Sequence, residues 1–161
     1  MPSIRLVEIT DQLLEASRES QVALEAYAHA ALGSMAAEIL EVVAQTGEFL
    51  KAKPRPAPWG CYLAVDDAVA QLIGTCGFKA GPTADRLVEI AYYTFPAYEG
   101  RGYATAMAAE LKRLGAGWNV IAHTLPERNA SCRVLEKNRF ALAGEVVDPE
   151  DGPVWLWTLK K

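Results

Sequence analysis

The sequence predicts an α/β (α+β) chain folded around one central mixed sheet. Three observations carry that prediction: helical periodicity through much of residues 12–50, a strand meander over 61–95, and a strand–helix–strand pattern after it. At 161 residues the chain is expected to form a single domain, 1–161. A content of 51% hydrophobic and 22% charged residues supplies a core and excludes wholesale disorder.

The elements follow in order. Residues 4–9 alternate apolar and polar, as a first strand does, and Thr10 and Asp11 offer an N-cap for a helix starting near Gln12. A second helix is predicted from Ser34, with Met35, Ile39, Leu40, Val42 and Val43 on one side and Gly47 as its stop. Pro54, Pro56 and Pro58 forbid helix, so 53–58 is an extended loop. Residues 61–65 and 71–78 read as paired strands joined through Asp66 and Asp67, and 87–95 as a third that Pro96 ends. Both alternating faces of that third strand are largely apolar, which predicts a central strand covered on both sides.

Ala104, Met107, Ala108, Leu111 and Leu114 then form one buried helical stripe, stopped by Gly115 and Gly117. A strand over 118–124 and a short helix over 129–138 follow. Residues 140–147 and 154–159 bracket a hairpin with a six-residue loop, 148–153. Trp155 and Trp157 on the last strand read as packing residues, in the core or in a homodimer.

Several function classes are excluded. A net charge of −4 argues against a dedicated nucleic-acid binder, since phosphate neutralisation needs a basic face. No apolar run reaches the ~18 residues of a membrane span. Three cysteines, Cys61, Cys76 and Cys132, make no disulfide framework, which suits a reducing cytoplasm. His29 and His123 lack metal-ligand spacing, so no metal is expected, and no Gly-x-Ser-x-Gly elbow is present.

Three segments carry possible chemistry. Residues 98–105, Tyr-Glu-Gly-Arg-Gly-Tyr-Ala-Thr, join a strand to an amphipathic helix. Such a glycine-rich turn leaves backbone N–H groups and the helix dipole facing an anion. Thr105 stands where a dinucleotide fingerprint needs its third glycine, so an ordinary strand-to-helix corner is the alternative. Glu89 lies among apolar residues of the strand over 87–95, where desolvation would raise its pKa toward that of a useful base; the alternative is a structural Glu held by a neighbouring Arg or Lys. In the third segment, 127–140, Asn129 reads as an N-cap and Ser131 as a polar residue in the first helical turn.

Together these segments resemble the GNAT superfamily of acyl-CoA-dependent N-acetyltransferases. The resemblance extends over about 61–160 and is sharpest over 87–140. Glu99-Gly100-Arg101-Gly102-Tyr103-Ala104 fits the last four positions of the family's pyrophosphate loop, with Glu99 where Gln or Arg is usual. Residues 130–138 resemble the signature of the branch containing ribosomal-protein N-terminal acetyltransferases (Rim-type), with Arg139 where Gly is usual.

The resemblance implies a mostly antiparallel sheet with a splayed parallel strand pair and flanking helices. It divides the chain into a divergent acceptor-side region, 1–60, and a CoA-binding core, 61–161. The implied reaction moves an acetyl group from acetyl-CoA to a primary amine, on a small molecule or a protein N-terminus, by direct transfer in a ternary complex. The alternative is a non-catalytic acyl-CoA-binding module. Gly100, Arg101, Gly102, Tyr103, Ala104 and Thr105 would hold the pyrophosphate, and Tyr92, Thr94 and Phe95 the pantetheine arm. Asn129 would hold a pantetheine amide or simply cap its helix. Glu89 is the implied base, directly or through a water, and Ser131 the implied acid, with Tyr92, Tyr93 and Tyr98 as rivals. His123 closes a strand beside the expected slot, in reach of substrate.

Overall fold

The computed structural model describes residues 1–159; Lys160 and Lys161, at the end of the predicted core, lie outside the described residues. The strands are β1 (Arg5–Glu8), β2 (Cys61–Asp66), β3 (Gln71–Phe78), β4 (Leu87–Thr94), β5 (Asn119–Thr124), β6 (Phe140–Asp148) and β7 (Gly152–Leu159). The helices are α1 (Asp11–Glu19), α2 (Gln21–Ala28), α3 (Ala36–Ala52), α4 (Tyr103–Leu114) and α5 (Ala130–Lys137). One seven-stranded sheet runs β1–β2–β3–β4–β5–β7–β6. Every pairing is antiparallel except β4 with β5.

Two apolar cores follow from strand alternation. Ala64, Ile90, Met107, Leu111, Leu135 and Trp157 meet on the face covered by α4 and α5. Leu63 and Val65 point the other way, into a core with Leu13, Leu24, Ile39 and Val43 from α1, α2 and α3. Burying each of these Leu, Ile, Val and Met side chains is worth roughly 1.5–3 kcal/mol, so both layers are held firmly to the sheet. No helix among the described residues is long and apolar enough to cross a membrane.

The N-terminal region departs from expectation in two places. Ser20 takes an extended conformation, ends α1, and accepts a hydrogen bond from the Ala23 N–H at 3.0 Å, so α2 is a separate helix. The apolar spacing runs through this break and conceals it. Gly47 does not stop α3, which continues to Ala52. Instead the missing side chain lets α1 approach: a Cβ at Gly47 would lie 2.8 Å from Leu14 Cδ2.

The C-terminal hairpin is tighter than its sequence suggests, because β6 and β7 stay paired as far as Asp148 and Gly152. Trp157 is buried, and its indole N–H donates to Thr124 Oγ1 at 3.0 Å. Since β7 lies between β5 and β6, its backbone edges are already paired, and β6 forms the sheet edge.

Candidate active site

The parallel pair opens a slot. β4 and β5 are in register only from Leu87, Val88 and Glu89 to Asn119, Val120 and Ile121. Beyond Glu89 they part: β4 keeps its pairing with β3 through Thr94, while His123 and Thr124 pair with β7. The Lys79 N–H donates to Glu89 O at 2.9 Å and the Phe95 N–H to Ile73 O at 3.0 Å, so those residues turn their backbones toward β3. By alternation the backbone groups of Tyr92 and Thr94 face the slot.

At one end the slot meets the N-terminus of α4. Gly100 and Gly102 adopt φ of 76° and 85°, a left-handed turn that a Cβ would strain. No side chain caps α4, so the first-turn N–H groups of Tyr103, Ala104 and Thr105 have no capping partner. They border a cavity of about 620 Å³ lined also by Tyr92, Thr94 and Ser131. A Cβ on Gly100 would meet nothing within 4 Å, so the turn leaves open room for a bulky anion.

Arg133 and Lys137 of α5 add positive charge to the same cavity, and neither has an ion pair among the described residues. Sequence reasoning passed over both; their four-residue spacing, which puts them on one helix face, was the available signal. A diphosphate fits this arrangement of open turn, uncapped helix and basic side chains.

Other expected residues are placed differently. Phe95 is fully buried in the core beneath α3, with its ring edge-on to Tyr93 at 5.9 Å. Arg101 is exposed and lies over the Tyr98 ring at 5.8 Å rather than lining the cavity. Asn129 caps α5, its side-chain oxygen accepting from the Cys132 N–H at 3.1 Å. Tyr103 lines the cavity, and its buried hydroxyl donates to Asp66 Oδ2 at 2.6 Å.

The tyrosines separate by their partners. The Tyr92 and Ser131 hydroxyls are 2.9 Å apart. Tyr93 donates to Glu38 and Tyr98 to Gln71, both away from that pair.

Glu89 sits on the opposite face of the sheet from α4. The expectation that both faces of β4 are covered is wrong here: Ala91 and Tyr93, on the Glu89 face, are exposed. The carboxylate is therefore held by neighbours more than by burial. Its Oε2 lies 3.1 Å from Lys79 Nζ and 3.0 Å from His123 Nδ1. Burial opposes charge on Lys79, but Glu89 outweighs it with help from Asp151 and Asp148, and the ammonium pKa ends above its ordinary value. Beside this cluster an apolar groove of about 280 Å³ runs between α3 and the sheet, lined by Phe49, Cys61, Gly77, Ala91 and Tyr93. Among the described residues no group of His, Cys, Asp and Glu is arranged to hold a metal ion.

The chain matches the acetyltransferase (GNAT) domain model over residues 8–141. No curated protein sequence matches it. Among solved structures it is similar to the spermidine N-acetyltransferase SpeG chimera from Vibrio cholerae and hSSAT, with TM-score 0.63 and 15% identity over 98% of this chain and 93% of that one. The microcin C7 self-immunity acetyltransferase MccE, in complex with acetyl-CoA and AMP, gives 0.62 and 12% over 96% and 91%. The RimL ribosomal L7/L12 alpha-N-protein acetyltransferase in complex with coenzyme A gives 0.62 and 15% over 98% and 94%. At such identities the likeness is one of fold.

Proposed function

The chain belongs to the GNAT acetyltransferase family, and on that footing we propose that it moves an acetyl group from acetyl-CoA to a primary amine within one ternary complex. The carrying observation is the slot between β4 and β5, open to an uncapped, glycine-turned α4 at one end and to Glu89 and His123 on the other face. The acceptor amine sits on a small molecule or a protein N-terminus. The motif at 130–138 supports the ribosomal-protein N-terminal acetyltransferase branch. The whole chain, 1–161, works as one domain, with 1–60 on the acceptor side and 61–161 carrying the CoA core; its three free thiols suit the cytoplasm.

Bound acetyl-CoA supplies an activated acyl carbon and a thiol leaving group. The turn from Gly100 to Gly102 and the N–H groups of Tyr103, Ala104 and Thr105 hold its pyrophosphate, with Arg133 and Lys137 adding charge. Slot-facing backbone groups of Tyr92 and Thr94, next to Phe95, pair with the pantetheine arm, and the Asn129 amide end turned away from its cap serves the same arm. A Tyr92 N–H aimed at the acyl oxygen acts as a fixed dipole, a role worth about 3–4 kcal/mol for donors in other enzymes.

Ammonium groups cannot attack a carbonyl. Glu89 supplies the negative charge that draws a proton off the acceptor. On the other side of the slot the Tyr92–Ser131 hydroxyl pair returns a proton to the leaving sulfur. The apolar groove along Ala91 and Tyr93 receives the body of the acceptor.

The test begins with calorimetric titration of acetyl-CoA into the protein, expected to show one-to-one binding. A panel of 2-phenylethylamine, hexylamine, spermidine and a peptide with a free N-terminus, read by thiol release, then identifies the acceptor class. Absence of acetyl-CoA binding by folded protein would sink the assignment. Binding without turnover across the panel would favour a non-catalytic acyl-CoA-binding module.

A further inference from the structure

The hydrogen-bond logic around Glu89 determines which atom of His123 carries a lone pair. Lys79 Nζ, 3.1 Å from Glu89 Oε2, has only protons to give, so Glu89 accepts from it as the anion of an ion pair. An ionised carboxylate has no proton to offer. His123 Nδ1, 3.0 Å from the same Oε2, must therefore be the donor. A neutral imidazole with its proton on Nδ1 has its lone pair on Nε2, and Nε2 has no hydrogen-bond partner among the described residues.

The ring also stands where such a base is needed. Glu89 is opposite Ile121 in the parallel register, so His123, two residues on, projects from the same face of the sheet. It lies on the first stretch of β5 released from β4, at the mouth of the slot, and its side chain is only 16% exposed. The charged groups around it are Glu89 from β4, Lys79 at the end of β3, and Asp148 with Asp151 from the β6–β7 hairpin; its β7 neighbours Trp155 and Leu156 carry no charge.

We infer that His123 Nε2 is the atom that takes the proton from the acceptor's ammonium, with Glu89 as the positioning residue that fixes its tautomer and Lys79 the cation paired with Glu89. This rests on the acetyltransferase reading and deepens it. Proton removal frees the nitrogen lone pair to form the C–N bond as the C–S bond breaks. Of the two protons the nitrogen sheds, one reaches solvent from His123. The other makes good the proton that the Tyr92–Ser131 pair gives to sulfur.

The chain has two histidines, so ¹⁵N-histidine NMR of the intact protein, assigned with His29→Asn, reads the tautomer without any substrate. The expected spectrum shows neutral His123 protonated on Nδ1, with that preference lost in Glu89→Gln. A dominant Nε2–H tautomer in the wild type would overturn the proposal. In kinetics with the best amine of the panel, His123→Ala is expected to lower kcat/KM by roughly 10²–10⁴, leave acetyl-CoA binding unchanged, and regain part of the rate in added imidazole. Normal acetyl-CoA binding with kcat/KM within about twofold of wild type would overturn this proposal alone. Failure of the wild type to bind acetyl-CoA would remove the acetyltransferase reading and this step with it.

Discussion

The Tyr92 hydroxyl lies 2.9 Å from that of Ser131, a hydrogen bond that ties β4 to α5 across the mouth of the slot. Burial pushes the Tyr92 phenol up, against the opposing pull of Ser131, so it remains a protonated donor at neutral pH. If the pair delivers one proton as a unit, Tyr92→Phe and Ser131→Ala should each slow turnover, and the double variant should be little slower than the worse single one. Single-turnover thiol release on all four proteins measures the coupling. Additive losses would show that the two hydroxyls act separately.

Glu89→Gln removes the charge at the centre of the Lys79 and His123 contacts while keeping the side-chain shape. Turnover is expected to fall by roughly 10²–10⁴ with acetyl-CoA affinity close to wild type, because Glu89 lies across the sheet from the α4 turn. Steady-state kinetics beside calorimetry separates the two effects. Unchanged turnover would remove Glu89 from the mechanism.

Gly100 has φ of 76° and open space where a Cβ would stand. In Gly100→Ala the backbone pays about 1–2 kcal/mol of left-handed strain, and the new methyl enters the cavity at the α4 end. Acetyl-CoA affinity should drop about tenfold or more with unchanged circular dichroism. An unaltered dissociation constant would place the pyrophosphate elsewhere.

Ala91 is exposed on the floor of the apolar groove. Phenylalanine at this position should fill that groove, raising the KM for the amine several-fold while acetyl-CoA binds as before. A fall in acetyl-CoA affinity instead would mean that the groove belongs to the donor side.

Tyr103 and Asp66 form a buried pair at 2.6 Å, with Asp66 Oδ1 already taken by the Ala68 N–H. Tyr103→Phe leaves Oδ2 without that donor and should cost about 1–3 kcal/mol in urea unfolding at neutral pH. Burial, then the bond to Asp66, pushes the phenol up to about 12, against roughly 10 in the unfolded chain. Its contribution is therefore complete below about pH 10 and is lost as pH rises toward about 12. The phenylalanine variant should show a shallower alkaline decline than wild type.

Much of the fold was legible along the chain. Alternation located β1, the strand runs over 61–65, 71–78 and 118–124 located β2, β3 and β5, the Ala104 to Leu114 stripe located α4, and Thr10 capped α1 as its type and position suggested. The glycine turn before α4 was legible too, because a positive φ is a local demand that glycine meets by itself. Ser20 and Gly47 misled for the opposite reason. A polar cap inside a continuous apolar period looks like one helix, and a glycine that admits a neighbouring helix looks like a stop until Leu14 is seen against it.

Sequence by itself determined what depends on neighbours a few residues away: periods, caps, turns, and the glycine-rich entry to α4. Tertiary structure alone decided which face of β4 stays open, that β7 is an interior strand, and that Arg133 and Lys137 of α5 face the α4 turn. It also decided the company of Glu89. His123 lies 34 positions along the chain from it, and Lys79 arrives from the other side, one residue past the end of β3. They meet because one antiparallel and one parallel register place three strands side by side, and such registers are set by the packing of whole faces, which no local spacing encodes.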